Sequence, residues 1–70
     1  MICQLKEYRK LKGMTQIEIA QKAGVTRQTI ISLERGKYKP SLILAMKLAF
    51  LLNCTMEQLF KLENKDWSSE

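Results

Sequence analysis

Four residues, "AGVT" at positions 23 to 26, separate two short amphipathic stretches, "TQIEIAQK" and "RQTIISLER", and this connection restricts the fold more than any other part of the chain. Helices joined so briefly through a glycine cannot lie antiparallel; they must cross steeply, with Val25 tucked beneath the turn. Each stretch carries its own start signal. In "TQIE" the Thr15 hydroxyl is set to accept from the amide of Glu18 while the Glu18 carboxylate reaches back, a capping box. Thr26 is the N-cap of the next helix. Ile17 and Ala20, with Ile19 beside them, form the inward face of the first helix, and Gly24 can end it in a left-handed conformation. Ile30 and Leu33 form the inward face of the second, which Gly36 closes.

The flanking sequence supplies three more helices. Ile2, Leu5, Tyr8, Arg9 and Leu11 recur at three- and four-residue spacing, which predicts a helix over residues 2–12 ending before Gly13. Pro40 bars continuation of the connector "KYKPS", and Ser41 caps a helix from Leu42 to Leu52 whose core stripe is Leu42, Ala45, Leu48, Ala49 and Leu52. Asn53 suits a left-handed position, and Thr55 with Gln58 gives a second capping box for a short helix through Phe60. Beyond it, "ENKDWSSE" reads as a polar, fraying tail over residues 63–70. The chain is thus expected to be one all-α domain of five helices over residues 1–62, near the lower size limit for a core that holds without disulfides or metal.

Composition removes several function classes. There is no histidine, no phosphate-binding glycine loop and no evident carboxylate pair, so no catalytic residues and no cofactor are expected, and the chain does not read as an enzyme. Cys3 and Cys54 have neither the spacing nor the neighbours of a metal site or a disulfide framework; they are expected to be reduced thiols in a cytosolic protein. The longest apolar run, "SLILAMKLAFLLNC", is broken by Lys47 and is too short for a membrane span. No signal-peptide pattern follows Met1. The net charge of +5 is unevenly spread: residues 1–39 hold nine Lys/Arg against Glu7, Glu18 and Glu34, whereas residues 40–70 hold three against four acids. That excess fits either a solvated surface or a polyanion site, and charge alone does not choose between them.

The joined string "YRKLKGMTQIEIAQKAGVTRQTIISLERGKYKPSL", followed downstream by "TMEQLF", resembles the Cro/repressor-type (XRE) helix-turn-helix family of transcriptional regulators over roughly residues 4–62. The resemblance implies a compact lambda-repressor-like DNA-binding domain with the helix-turn-helix at about residues 15–35, acting on double-stranded DNA in the cytoplasm, on the nucleoid. The third helix would then enter the major groove. Arg27 and Gln28 stand at positions that face base edges in the family, and their chemistry suits guanine O6/N7 and adenine N6/N7 respectively. Ser32, one turn along, and the Thr26 methyl complete the expected base contacts. Ile31 departs from the family pattern, where a small polar residue is commoner; it either touches a thymine methyl or thickens the core. Gln16 corresponds to a phosphate-clamping position at a helix N-terminus, and Arg35, Lys37 and Lys39 extend a basic edge toward the DNA backbone. The resemblance also implies a partly buried structural ion pair between Arg9 and Glu34.

The fourth helix is apolar nearly all round, since Ile43, Met46 and Phe50 form a second stripe beside the core stripe. In so small a domain that stripe, together with Trp67, is expected to meet a second copy, giving a homodimer for a palindromic operator with half-sites one turn apart. A repressor is expected rather than an activator. The alternative is an antitoxin-like or antirepressor-like module that uses the same apolar face to hold a protein partner.

Overall fold

The computed structural model describes residues 1–67, and its elements run β1 (Ile2–Cys3), α1 (Leu5–Leu11), α2 (Gln16–Ala23), α3 (Arg27–Glu34), α4 (Leu42–Leu51), α5 (Met56–Leu59), β2 (Phe60–Lys61) and α6 (Asn64–Trp67). The five expected helices are present, and the caps explain where they begin. Thr15 accepts from the Glu18 amide at 3.0 Å while the Glu18 carboxylate accepts from the Thr15 amide at 2.8 Å. Thr55 and Gln58 repeat this box at 3.0 and 2.8 Å. Thr26 and Ser41 each cap with a single hydroxyl, accepting from Thr29 and Leu44. Four groups left unbonded at each helix start would otherwise cost stability in helices this short.

The tight turn works as its sequence requires. Gly24 adopts φ 74°, and the Val25 amide donates to the Ala20 carbonyl at 3.0 Å, so the chain leaves α2 at a sharp angle. Val25 is half-buried and packs against the core. The fully buried residues come from every principal helix: Leu5, Ile19, Ile30, Leu33, Leu48 and Leu59. Ala20, Ala23, Ala45 and Ala49 are small enough to bring α2 and α4 close. Lys47, which interrupts the apolar run of α4, reaches the Ala23 carbonyl at 3.5 Å, placing a cation at the C-terminal end of α2 where the helix dipole favours it.

Several expectations are corrected. Residues 2–3 are not helical; they pair antiparallel with residues 60–61, Ile2 opposite Lys61 and Cys3 opposite Phe60. The Gln4 amide extends this ribbon by donating to the Leu59 carbonyl at 2.7 Å. The same pairing ends the fifth helix at Leu59, one residue early, because Phe60 is extended at φ −128°. Both departures have one cause, a partner strand nearly sixty residues away that local periodicity does not register. Ile17 is exposed and Ile19 takes the core position in its place. Leu42, at the first turn of α4, also lies outside the core and is exposed.

Residues 63–67, expected to fray, are organised. Asn64–Trp67 form a helical turn, and the Met1 ammonium lies 2.7 Å from both Glu63 Oε1 and Asp66 Oδ2. Asp66 also accepts from the Glu63 amide at 2.8 Å. The ammonium holds both carboxyl groups below their ordinary range, and they in turn raise its own pKa. Residues 68–70 of the expected tail lie outside the described residues. Both cysteines are free and half-buried, and burial pushes each thiol up, away from the reactive thiolate. Among the described residues, no helix is long and apolar enough to cross a membrane.

Candidate nucleic-acid interface

The chain brings its basic residues to one face by fixing the ends of α1, α2 and α3 against each other. Arg9, on α1, is the centre of that junction. Its Nε and Nη2 donate to Glu34 Oε2 and Oε1 at 2.7 and 3.2 Å, and its Nη1 donates to the Met14 carbonyl at 2.9 Å. The two side chains are only 9% and 5% exposed, so the pair is enclosed as well as bidentate. This geometry ties the last turn of α1, the entry to α2 and the C-terminal end of α3 into one unit.

A second pair of hydrogen bonds grows outward from it. Gln16, the first residue of α2, donates from Nε2 to Glu34 Oε1 at 3.1 Å. Its Oε1 accepts from Arg27 Nε at 3.2 Å. The result is a continuous line, Arg9 to Glu34 to Gln16 to Arg27, running from the buried junction to the exposed first residue of α3. A shallow hollow beside it is lined by Lys6, Gln16, Arg27, Ile31, Glu34 and Arg35.

The expected base-reading residues lie on the accessible side of α3. Thr26, Arg27 and Gln28 are exposed, and Ser32 is half-buried one turn on. The Thr26 hydroxyl is occupied as cap and with the Thr29 hydroxyl at 3.1 Å, which leaves its methyl as the group it can offer. Ile31 is half-buried and lines the hollow, so it both packs and presents apolar surface. Arg35 and Lys37 are exposed just past α3, where Gly36 at φ 71° and the Lys37 amide, donating to the Ser32 carbonyl at 3.0 Å, turn the chain. Lys39 is mostly exposed but stands 3.9 Å from Asp66, so the C-terminal segment competes for it.

Two features were missed by reading the residues alone. Lys6 joins the hollow; it precedes Arg9 by one helical turn, a spacing that places both on one side of α1. The Gln16 relay was not foreseen, because it depends on the crossing angle of α2 and α3. Glu34 is the one acid lining this hollow, and Arg9 neutralises it, so Lys6, Arg27 and Arg35 leave the face positive. Among the described residues no cluster of His, Cys, Asp or Glu fits a metal ion.

The second stripe of α4 is on the surface. Ile43 is 68% exposed, Phe50 85% and Trp67 of α6 74%, with Met46 exposed between them. Three of these large apolar side chains lie along one face of α4 and the fourth on α6, all open to water on a small domain.

Comparison with known proteins agrees with this geometry. A helix-turn-helix family model matches residues 5–59. An HTH-type transcriptional regulator of Archaeoglobus fulgidus is 47% identical over 66 residues, covering 94% of both chains. Another, from Methanocaldococcus jannaschii, is 48% identical over 62 residues, covering 89% of this chain and 94% of the relative. Among solved structures, the restriction-modification controller protein C.AhdI from Aeromonas hydrophila superposes with TM-score 0.74 at 35% identity, over 81% of this chain and 86% of that one. A chain of the SinR protein/SinI protein complex superposes with TM-score 0.78 at 34% identity, over 99% of this chain and 69% of that one. The match thus spans the α2–α3 turn, the junction beneath it and α4 together, and the chain belongs to the Cro/repressor-type (XRE) helix-turn-helix family of DNA-binding transcriptional regulators, which are not enzymes.

Proposed function

We propose that this chain is a cytoplasmic, nucleoid-associated repressor that binds a palindromic operator as a homodimer, reading the major groove with α3. The observation that carries this reading is the exposed row Thr26, Arg27 and Gln28 at the N-terminal end of α3, flanked by Gln16 on one side and Arg35 and Lys37 on the other. Arg27 and Gln28 read bases, with Ser32 and the Thr26 methyl beside them, while Gln16, Arg35, Lys37 and, less strongly, Lys39 hold phosphates. Arg9 and Glu34 act as the structural pair that sets the angle of α3.

The exposed side chains of Ile43, Met46 and Phe50 on α4, with Trp67 on α6, support the dimer, because a second copy would cover them and would set two α3 helices about 34 Å apart. Footprinting on the region upstream of its own gene tests both parts. Two protected segments centred about one helical turn apart are expected; a single protected half-site, with a monomer in sedimentation at micromolar concentration, would refute the dimer.

The same exposed apolar side chains also support a second reading, an antitoxin-like or antirepressor-like module that holds another protein. The solved SinR structure is a complex with a protein, SinI. A chain that remains monomeric and binds no duplex even at low salt would favour that reading.

A further inference from the structure

We infer that Glu34 is a positioning residue for base readout: acting through the Gln16 side chain, it orients Arg27 to select guanine at the base pair facing the start of α3. This inference deepens the proposed groove reading and rests on it. It comes from the polarity of the hydrogen-bonded line rather than from any single contact.

A carboxylate only accepts hydrogen bonds. Glu34 Oε1 takes one from Arg9 Nη2 at 3.2 Å and one from Gln16 Nε2 at 3.1 Å. Gln16 must therefore turn its NH2 group toward Glu34, and its carbonyl oxygen is forced to the other side, where it accepts from Arg27 Nε at 3.2 Å. Arg27 is exposed and long, and without this anchor its side chain would sample many rotamers. Held by Nε, the guanidinium keeps its two terminal nitrogens free. Those nitrogens form the planar fork that matches guanine O6 and N7. Adenine offers a donor where guanine offers O6, so an arginine fixed in this way is expected to reject it.

The line also divides the work of Gln16. One N–H goes to Glu34 and the oxygen to Arg27, leaving the second N–H for a phosphate. Loss of Gln16 should then have two separable effects. Loss of the phosphate contact weakens binding to all sequences alike, whereas loss of orientation lowers discrimination at one base pair only.

The test is selection of duplexes from a randomised pool by the wild-type chain, followed by affinity measurement on the selected site and its single-base variants. Arg27→Ala assigns the base pair, since its preference alone should vanish there. For the wild type that position is expected to be guanine, preferred roughly tenfold to hundredfold over other bases. Gln16→Ala should reduce this preference to about threefold or less, with preferences at the other positions retained. Glu34→Gln should lower it partially, because a carboxamide accepts or donates and no longer dictates which way Gln16 faces. Melting curves establish that each variant is folded at the assay temperature. If Glu34→Gln is unfolded, Gln16→Ala, made at a position outside the buried pair, tests the relay on which the role of Glu34 depends. Guanine preference left intact by a folded Glu34→Gln variant, or by Gln16→Ala with uniformly weakened binding, would overturn the inference, as would assignment of Arg27 to a base other than guanine. Enrichment of no site by the wild type would overturn the groove reading itself.

Discussion

Replacing Glu34 with alanine should unfold a large part of this domain's stability, and the size of the loss can be worked from its contacts. Glu34 accepts from Arg9 Nε and Nη2 and from Gln16 Nε2, so three donors lose their acceptor together. Gln16 is half-exposed and can turn to water, which leaves that contact nearly neutral. Arg9 cannot, because its side chain is enclosed and its remaining bond is to the Met14 carbonyl. Breaking one side of a buried ion pair costs about 3–5 kcal/mol, since the surviving charge stays desolvated. The bond to Met14 argues for the lower end, about 3 kcal/mol. A 70-residue domain has roughly 4–10 kcal/mol in total, so the variant loses roughly a third to three quarters of it. At about 4–8 °C per kcal/mol for a domain of this size, Tm should fall by about 12 °C or more. Thermal unfolding followed by circular dichroism at 222 nm measures it. The paired substitution Arg9→Met with Glu34→Leu should recover most of the loss, because no charge is then left buried. A Glu34→Ala variant melting within about 3 °C of wild type, under 1 kcal/mol by the same conversion, would refute the assignment of this pair as structural.

Other consequences follow from particular residues. Gly24→Ala meets no atom within 4 Å, so its cost should be only that of a left-handed φ, about 1–2 kcal/mol, whereas Gly24→Asn should cost less; equal stability of all three in urea would contradict the turn geometry. The Met1, Glu63 and Asp66 cluster makes α6 pH-sensitive at both ends. The carboxyl groups have depressed pKa values, so their contribution holds above the ordinary carboxylate range and is lost as pH falls through the lowered values. The ammonium has a raised pKa, so its contribution holds below about pH 8 and is lost as pH rises through the raised value. Trp67, the single tryptophan, reports on α6, and its emission should change on both limbs while the far-ultraviolet signal of the core stays constant on the alkaline one; a flat response would exclude the tie. Lys37→Ala should weaken binding to specific and scrambled duplexes equally and flatten the log–log salt slope by about 0.9, which anisotropy at four salt concentrations detects. Phe50→Lys should convert a dimer to a monomer with a stability change within about 0.5 kcal/mol, as its side chain is solvent-exposed in the protomer; an unchanged sedimentation coefficient would exclude α4 from the interface.

The parts of the fold that were legible in the sequence are those set by local chemistry. The Thr15–Glu18 and Thr55–Gln58 boxes, the Thr26 and Ser41 caps, the left-handed Gly24 and the bar at Pro40 act within four residues of themselves, and each appears where the residues require it. The misreadings share the opposite property. Ile2 and Cys3 looked helical from spacing, but their hydrogen bonds go to residues 60 and 61. Asp66 looked like tail charge, yet its partner is the other end of the chain. Ile17 and Ile19 are two apolar candidates two positions apart on one helix, and only the actual placement of α3 and α4, which pack against α2, chooses between them.

The interface divides in the same way. Arg9 and Glu34 followed from family resemblance, and their bidentate contact is present. The proposed base-reading residues stand on the open side of α3, where a short helix after a tight turn projects them. Lys39 illustrates what sequence order hides: its position groups it with Arg35 and Lys37, but the fold brings Asp66 to within 3.9 Å of it. The Gln16 bridge between Glu34 and Arg27 was equally hidden, since three residues at positions 16, 27 and 34 have no spacing that signals contact.

If α3 reads sequence through its first residues, discrimination between duplexes must depend on Arg27 and Gln28. Anisotropy of a labelled duplex carrying a selected site, against a scrambled duplex, should be recorded for the wild type and for the Arg27→Ala, Gln28→Ala double variant at matched salt. The wild type should prefer its site by about a thousandfold or more. The double variant should bind both duplexes alike, with the weak, salt-sensitive affinity of phosphate contacts alone. Retention of the site preference by the folded double variant would exclude readout through the start of α3, because specificity would then come from elsewhere on the molecule.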